Sequence, residues 1–160
     1  MNNLIIMCGV PGCGKTTYSK KLLKMHPDWE YVSRDEVRYE YVTDQAHYFD
    51  HEYDVYKEFC NRITKHLIDD KTVIADATHL SKGSRLKLIN SLEVKPDKVT
   101  VVIVMTDYHI CMERNALREG ITRVPDQTMR NMIRAFKKPD ARFEDYIDEI
   151  VYVDGAAGTK

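Results

Sequence analysis

No stretch of this 160-residue chain approaches the roughly 20 apolar residues that a bilayer-spanning helix requires; the longest apolar run, Val99–Met105, is strand-sized. Membrane insertion is therefore not expected. The four cysteines, Cys8, Cys13, Cys60 and Cys111, lack C-x-x-C spacing, and the N-terminus has neither a basic leader nor a cleavable apolar segment. The chain reads accordingly as a reduced, cytoplasmic protein. Internal repeats, low-complexity tracts and interdomain linkers are missing too, which predicts a single domain over residues 1–160, able to bury about two-thirds of its unfolded surface. Nothing in the pattern marks an obligate protein partner. Net charge is also small, −1, too little for a protein that coats nucleic acid by charge alone. The charge is unevenly placed, however. Asp28–Cys60 carries ten acidic against three basic residues, −7, and Cys111–Arg142 eight basic against four acidic, +4. Such segments fit either solvated faces or the two sides of a cleft.

What is present is a phosphate-binding pattern. Gly9-Val10-Pro11-Gly12-Cys13-Gly14-Lys15-Thr16 fits G-x-x-x-x-G-K-[ST] and lies between an apolar strand, Leu4–Cys8, and a helix expected from Thr16 to about Met25. In that setting the glycines let backbone N–H groups wrap phosphate oxygens at the positive end of the helix. Lys15 neutralises charge, and the Thr16 hydroxyl can hold Mg²⁺. Gly9, Pro11, Gly12, Cys13, Gly14, Lys15, Thr16 and Thr17 are the candidate contacts to a nucleoside triphosphate, Thr17 as part of the helix rather than as a metal ligand. Cys13 fits a small buried residue better than a reactive thiol.

Further apolar runs at Tyr31–Val32, Thr72–Ala75, Val99–Met105 and Ile150–Val153 alternate with helically spaced segments. The alternation predicts an α/β fold, a parallel five-stranded sheet with helices on both faces. Tyr53, Tyr56, Cys60, Ile63 and Leu67 mark the buried stripe of a long helix. Ser81 caps a helix running to about Leu92, and Lys95-Pro96-Asp97 turns into the fourth strand. A helix from about Tyr108 to Glu119 is broken by Gly120. Another begins at Pro125 or Asp126 with the stripe Met129, Met132, Ile133 and Phe136. Gly155–Lys160 is expected to be loose.

Since ligand crevices in open α/β sheets lie at the carboxyl ends of strands, Asp35 and Arg38, just after the second strand, are placed beside the phosphates. Asp35 can accept the proton of an attacking hydroxyl or cap the helix; Arg38 can hold an anion on the acceptor. The third strand ends in Asp76, a Walker-B-like acid that can serve the metal or the acceptor, or form a turn, with Thr78 and His79 on the rim. Arg114 and Arg118, four apart on one helix face, with Arg123 in the next loop, fit an arginine lid over the donor phosphates or a solvated basic helix. His47 and His51 have helical metal-ligand spacing but no third partner, and read as surface histidines.

In combination, Gly9–Thr17, Arg34-Asp35-x-x-Arg38, the Asp76 strand end, Arg114-Asn115-x-x-Arg118 and Val124-Pro125 resemble the 5′-kinase domain of bacteriophage polynucleotide kinases, within the zeta-toxin-like and adenylate-kinase-like P-loop kinases. The resemblance implies a P-loop NTPase fold of adenylate-kinase-like type, with the Asp35 strand at an edge, the phosphate-loop strand central and a small helical lid at about 108–136. It implies ATP and Mg²⁺ as cofactors, with Lys15 and Asp35 catalytic, Asp35 as general base, and Thr16 and Asp76 at the metal. Arg118 is implied as donor-phosphate clamp and catalytic, with Arg114 beside it. Arg38 is implied as the acceptor-phosphate contact, with Asp76 and Thr78 also on the acceptor side. The acceptor is a nucleic acid 5′-hydroxyl or a small hydroxylated molecule; a nucleotide-binding ATPase or regulatory module is the reading outside the kinases. No D-x-D phosphatase motif or ligase-type lysine motif occurs. The acidic segment speaks against a polymer acceptor, whereas Tyr39, Tyr41, Tyr48, Tyr53 and Tyr56 offer rings for stacking or core packing.

Overall fold

The computed structural model describes residues 1–156. Its strands are β1 (Asn3–Cys8), β2 (Glu30–Ser33), β3 (Thr72–Asp76), β4 (Lys98–Met105) and β5 (Glu149–Asp154). Its helices are α1 (Lys15–Met25), α2 (Arg34–Tyr41), α3 (Glu52–Ile68), α4 (Lys82–Ser91), α5 (Tyr108–Ala116) and α6 (Asp126–Ala135), with 3₁₀ turns at Gln45–His47 and Gly120–Thr122. All pairings are parallel in the order β2-β3-β1-β4-β5, so the phosphate-loop strand is central and the strand leading to Asp35 is at an edge, as expected. Because strand residues alternate between faces, β1 feeds two cores. Leu4, Ile6 and Cys8 pack with Phe59, Ile63, Leu67 and Leu88, while Ile5 and Met7 pack with Cys13, Val102, Val104, Cys111 and Met129. The register Met7↔Asp76 and Ser33↔Asp76 brings the carboxyl ends of three strands to one rim.

Side-chain caps fix the starts of two helices. Ser33 accepts from Glu36 N at 3.2 Å and caps α2, and Ser81 and Ser84 form a reciprocal capping box at α4. Two helices differ from the sequence expectation. In α3 the buried stripe is Val55, Phe59, Cys60, Ile63, Thr64 and Leu67, whereas Tyr53 is 80% exposed; it lies about 200° round the helix from Val55, away from the sheet. Helix α5 ends at Ala116 rather than Glu119. The buried Asn115 side chain donates to Val124 O at 2.8 Å and accepts from Val124 N at 3.0 Å, and Arg118 N bonds back only three residues, to Asn115 O. The last turn is thereby tightened and the chain drawn inward, and Gly120, at φ +58°, serves the following 3₁₀ turn.

One ion pair is fully enclosed. Arg85 on α4 is 0% exposed and Glu144 2%, with Nε–Oε1 at 2.8 Å and Nη2–Oε2 at 3.2 Å. Arg85 also donates to His79 O, and Glu144 accepts from Asp140 N and the Tyr146 hydroxyl. Burial opposes ionisation of Glu144, yet these bonds hold its carboxyl below the usual range. The pair clips the segment before β5 onto α4. Glu144→Ala, which leaves a buried unpaired guanidinium, is expected to lower unfolding free energy in urea by about 3–5 kcal/mol, and the apolar double variant Arg85→Met/Glu144→Leu to recover most of it.

Candidate active site

The phosphate loop joins β1 to α1 with four of its carbonyls engaged by side chains. Lys15 Nζ donates to Gly9 O at 2.8 Å and Val10 O at 3.1 Å, Arg114 Nη1 to Gly12 O at 2.9 Å, and Thr106 Oγ1 to Cys13 O at 2.6 Å. Helix α1 has no side-chain cap, so the N–H groups of its first turn remain directed at the rim. Gly12, at φ +82°, sits so close to α5 that a Cβ would lie 2.6 Å from Cys111 O. Gly155, expected to be loose, is instead buried: its N–H donates to Met105 O at 2.8 Å and its carbonyl accepts from Arg114 Nη2 at 3.1 Å. A Cβ on Gly155 would lie 1.9 Å from Cys13 O, so β5 delivers its last residues directly onto the phosphate loop. Residues 157–160, the remainder of that expected loose tail, lie outside the described residues.

A cavity of about 420 Å³ opens beside the loop, lined by Pro11, Gly12, Gly14, Lys15, Thr16 and Thr17. On its metal side the Thr16 hydroxyl donates to Asp76 Oδ2 at 3.0 Å, and the Tyr31 hydroxyl donates to the same oxygen at 2.5 Å. Burial raises the Asp76 pKa, while Lys15 and the two hydroxyl donors favour its charged form. This donor set is oxygen only, as Mg²⁺ requires. Among the described residues no group of three or more His, Cys, Asp or Glu is arranged to hold a metal, so such an ion would complete its shell with phosphate and water oxygens. Thr78 lines the cavity and its carbonyl accepts from Gly9 N, tying the β3 end to the loop.

The far wall comes from the acidic segment. Asp35 is 49% exposed and lines the cavity; its Oδ1 accepts from Arg38 Nη1 and from the Tyr48 hydroxyl, while Oδ2 has no partner among the described residues. Ser33 is the cap of α2, so Asp35 is relieved of that role. Arg38 is nearly buried and its guanidinium makes two bonds to Glu52, one to Asp35 and one to Tyr48. Burial opposes its charge, but these carboxylates raise its pKa. Arg34, Phe49 and Glu52 complete this wall, and Arg114, Arg118 and Met132 come from the basic segment opposite. The two charged segments therefore do flank one cleft. Five cationic side chains against three carboxylates line it.

Some expected members fall elsewhere. Arg114 and Arg118 share the cavity but not a helix face, because Arg118 lies beyond α5; its side chain makes no hydrogen bond or ion pair among the described residues. Arg123 pairs with Asp126 and is absent from the cavity lining. His47 is exposed and bonded to Asp50. His79 is not on the rim but 5% exposed, in the left-handed region at φ +43°, with Nδ1 2.8 Å from Met7 O and Nε2 buried without a partner. Tyr31, Phe49, Glu52, Met132 and Gly155 join the site without a sequence signal of their own, except that Gly155 follows a strand's carboxyl end, while Tyr48, one of the rings expected to stack or pack, is 4% exposed with its hydroxyl on Asp35.

A phosphate loop at the end of a central parallel strand, with order 2-3-1-4-5 and a strand-end acid on the neighbouring strand, defines a P-loop kinase fold. Residues 4–139 match the sequence family described as AAA domain (AAA_33), and the chain belongs to that family. L-seryl-tRNA(Sec) kinase of Methanococcus maripaludis is 23% identical over 145 residues, covering 88% of this chain and 54% of that protein, so the chain spans about half the length of this curated relative. A fungal RNA kinase structure superposes with a TM-score of 0.70 at 16% identity, covering 95% of this chain and 38% of that one. A sugar kinase from Janibacter sp. gives 0.69 at 16% identity, covering 98% and 86%. At these identities the likeness is one of fold.

The buried imidazole behind the rim has a measurable consequence. Burial pushes His79 down to about 4, against the bond to Met7 O. The unfolded chain takes up this proton below about pH 6.5 and the folded chain does not until much lower pH, so the contribution to stability is full above 6.5 and is lost as pH falls towards 4. Thermal or urea denaturation between pH 7 and 5 is expected to show this slope. In His79→Asn, which tolerates the same backbone, it should shrink by up to about 1.4 kcal/mol per pH unit.

Proposed function

We propose that this chain is an ATP- and Mg²⁺-dependent phosphotransferase that moves the γ-phosphoryl group to a hydroxyl, the 5′-hydroxyl of DNA or RNA being the favoured acceptor. The observation that carries the reading is the placement of Asp35, with one oxygen held and the other open, in the same cavity as Lys15, Thr16, Asp76 and Arg118. The Asp35/Arg38 pair beside the phosphates argues against an ATPase or regulatory module, which needs no group to hold an acceptor.

Asp35 Oδ2 accepts the acceptor's proton as its oxygen bonds to the γ-phosphorus; the bond to the β–γ bridging oxygen breaks and ADP leaves. Phosphate oxygens lie on the loop N–H groups and on Lys15, and Arg118, whose side chain has no hydrogen bond or ion pair among the described residues, moves onto the charge that spreads over the transferring group. Thr16 and Asp76 would hold Mg²⁺, which when bound would neutralise negative charge on the donor phosphates. We read residues 1–160 as one domain with a lid at about 108–136. The buried free thiols among the described residues support a reducing compartment such as the cytoplasm.

The RNA kinase and seryl-tRNA kinase similarities favour a nucleic acid acceptor. A small-molecule acceptor is the second reading, favoured by the sugar kinase, which this chain matches over nearly its whole length. Radiolabelled γ-phosphate offered with 5′-hydroxyl oligonucleotides, nucleosides and sugars separates the two, and label appearing only as free phosphate would overturn both. In the same assay Asp35→Asn is expected to lower kcat by at least about 100-fold with nucleotide affinity within about threefold of wild type. Loss of nucleotide binding with kcat retained would instead make Asp35 a metal or structural residue.

A further inference from the structure

Most arginines of this chain pair with a carboxylate, as Arg62 does with Glu40 and Glu58 and Arg142 with Asp140. Arg114, Arg118, Arg130 and Arg134 pair with none among the described residues. The first two line the catalytic cavity, whereas Arg130 and Arg134 are absent from its lining and lie exposed on the outer face of α6. Their hydrogen bonds go to neutral amides. Arg130 Nη2 donates to Gln127 Oε1 at 3.0 Å, Arg134 Nη2 to Asn131 Oδ1 at 2.8 Å, and Gln127 Nε2 to the same Asn131 oxygen at 3.0 Å. This amide ladder holds both guanidiniums on the helix without neutralising them, and leaves most of their five N–H groups for another acceptor. Residues 127–139 also include Lys137 and Lys138, both exposed, and contain no acidic residue. The inner face of the helix is fixed: Met129 is buried, Ile133 packs on the core, and Met132 lines the cavity. The acceptor wall abuts its start, since Gln45 Nε2 donates to Arg123 O at 2.8 Å and Arg123 pairs with Asp126, the first residue of α6.

We propose that the outer face of α6 binds the phosphate backbone of a nucleic acid strand, outside the catalytic cavity. The inference rests on the nucleic-acid reading above and deepens it: a strand whose 5′ end lies in the cavity continues across α6. Residues four apart share a helix face, and their rise of about 6 Å along the axis is close to the separation of successive phosphates on an extended strand. Arg130 and Arg134 therefore meet neighbouring phosphates, whose oxygens take the unused N–H groups in charge-assisted bonds. Because the amide ladder already orders both side chains, less rotamer freedom is lost on binding. That regular spacing favours a nucleic acid over an acidic protein surface, and contacts confined to the backbone carry no base preference.

The test follows the fluorescence anisotropy of 3′-labelled 5′-hydroxyl oligonucleotides of about 12 nucleotides, DNA and RNA, between about 50 and about 200 mM NaCl. It compares wild type, Arg130→Gln/Arg134→Gln, Arg130→Lys/Arg134→Lys and, as a surface control, Arg142→Gln. Losing two phosphate contacts on a single strand is expected to lower the slope of log Kd against log salt by about 1.4 in the glutamine pair, and to raise Kd at about 50 mM NaCl by at least about tenfold. The lysine pair should keep most of the slope, and Arg142→Gln should stay within about twofold of wild type. ATP affinity and the rate on a nucleoside acceptor should be unchanged in the glutamine pair. An unchanged slope in that pair, or an equal fall in Arg142→Gln, overturns the surface while leaving the kinase reading intact. Polyglutamate bound as tightly, with the same dependence on the two arginines, overturns the choice of nucleic acid. If wild type binds the strand through α6 but does not label it, the surface stands and the 5′-hydroxyl acceptor falls. If it labels nucleosides or sugars and does not bind the strand, the surface falls and phosphotransfer remains.

Discussion

The direction in which the phosphate-loop peptides face governs everything else at the site. A peptide unit is rigid and trans, so fixing a carbonyl on one side directs the next N–H to the other. Here the carbonyls of Gly9, Val10, Gly12 and Cys13 accept hydrogen bonds from Lys15, Arg114 and Thr106. Those donors come from three places in the fold: the start of α1, the last turn of α5 and the end of β4. The loop conformation is therefore a property of the assembled sheet rather than of its eight-residue motif. Arg114 shows the consequence most directly, since a residue whose spacing suggests a phosphate clamp is also a brace for the loop that holds the phosphates.

Electrostatics on the opposite wall follow a related logic. The acidic segment does not present bare carboxylates to the cleft: Glu52 is held by Arg34 and Arg38, and one oxygen of Asp35 by Arg38 and Tyr48. Away from the cleft, Arg62 takes up Glu40 and Glu58. A segment charge of −7 thus overstates the repulsion a phosphate would meet there. What an acceptor faces is a wall near local neutrality, with one half-satisfied guanidinium and one open carboxylate oxygen.

The five strands were legible because each is a short apolar run with punctuation at both ends, and the sheet order followed from resemblance. The phosphate loop, Asp35, Asp76, Arg38 and Arg118 were legible as residues because their spacing within local elements carries meaning; Pro11, Gly12 and Gly14 to Thr17 reach one cavity with the other four, whereas Gly9 and Cys13, also expected at the nucleotide, do not line it. Contacts between distant segments were not. Glu52 lies fourteen residues beyond Arg38, and Tyr48 ten, at no helical or strand period. The early end of α5 depends on the Asn115 amide finding Val124, a choice that helix propensity cannot express. His79 reads as a rim residue from its place after a strand-end acid; only the backbone reversal at φ +43° turns its ring into the interior.

Gly155 connects these points to the order in which the chain is made. The phosphate loop leaves the ribosome well before β5, so the carbonyl that Arg114 also binds, and the close contact against Cys13, arrive only when β5 has been synthesised and docked. A nascent chain that has completed β1, α1 and even α5 would hold the whole motif and one brace, but not the other side of the clasp. The nucleotide site is in this sense a late event of folding, finished by the strand farthest in sequence from the loop it secures.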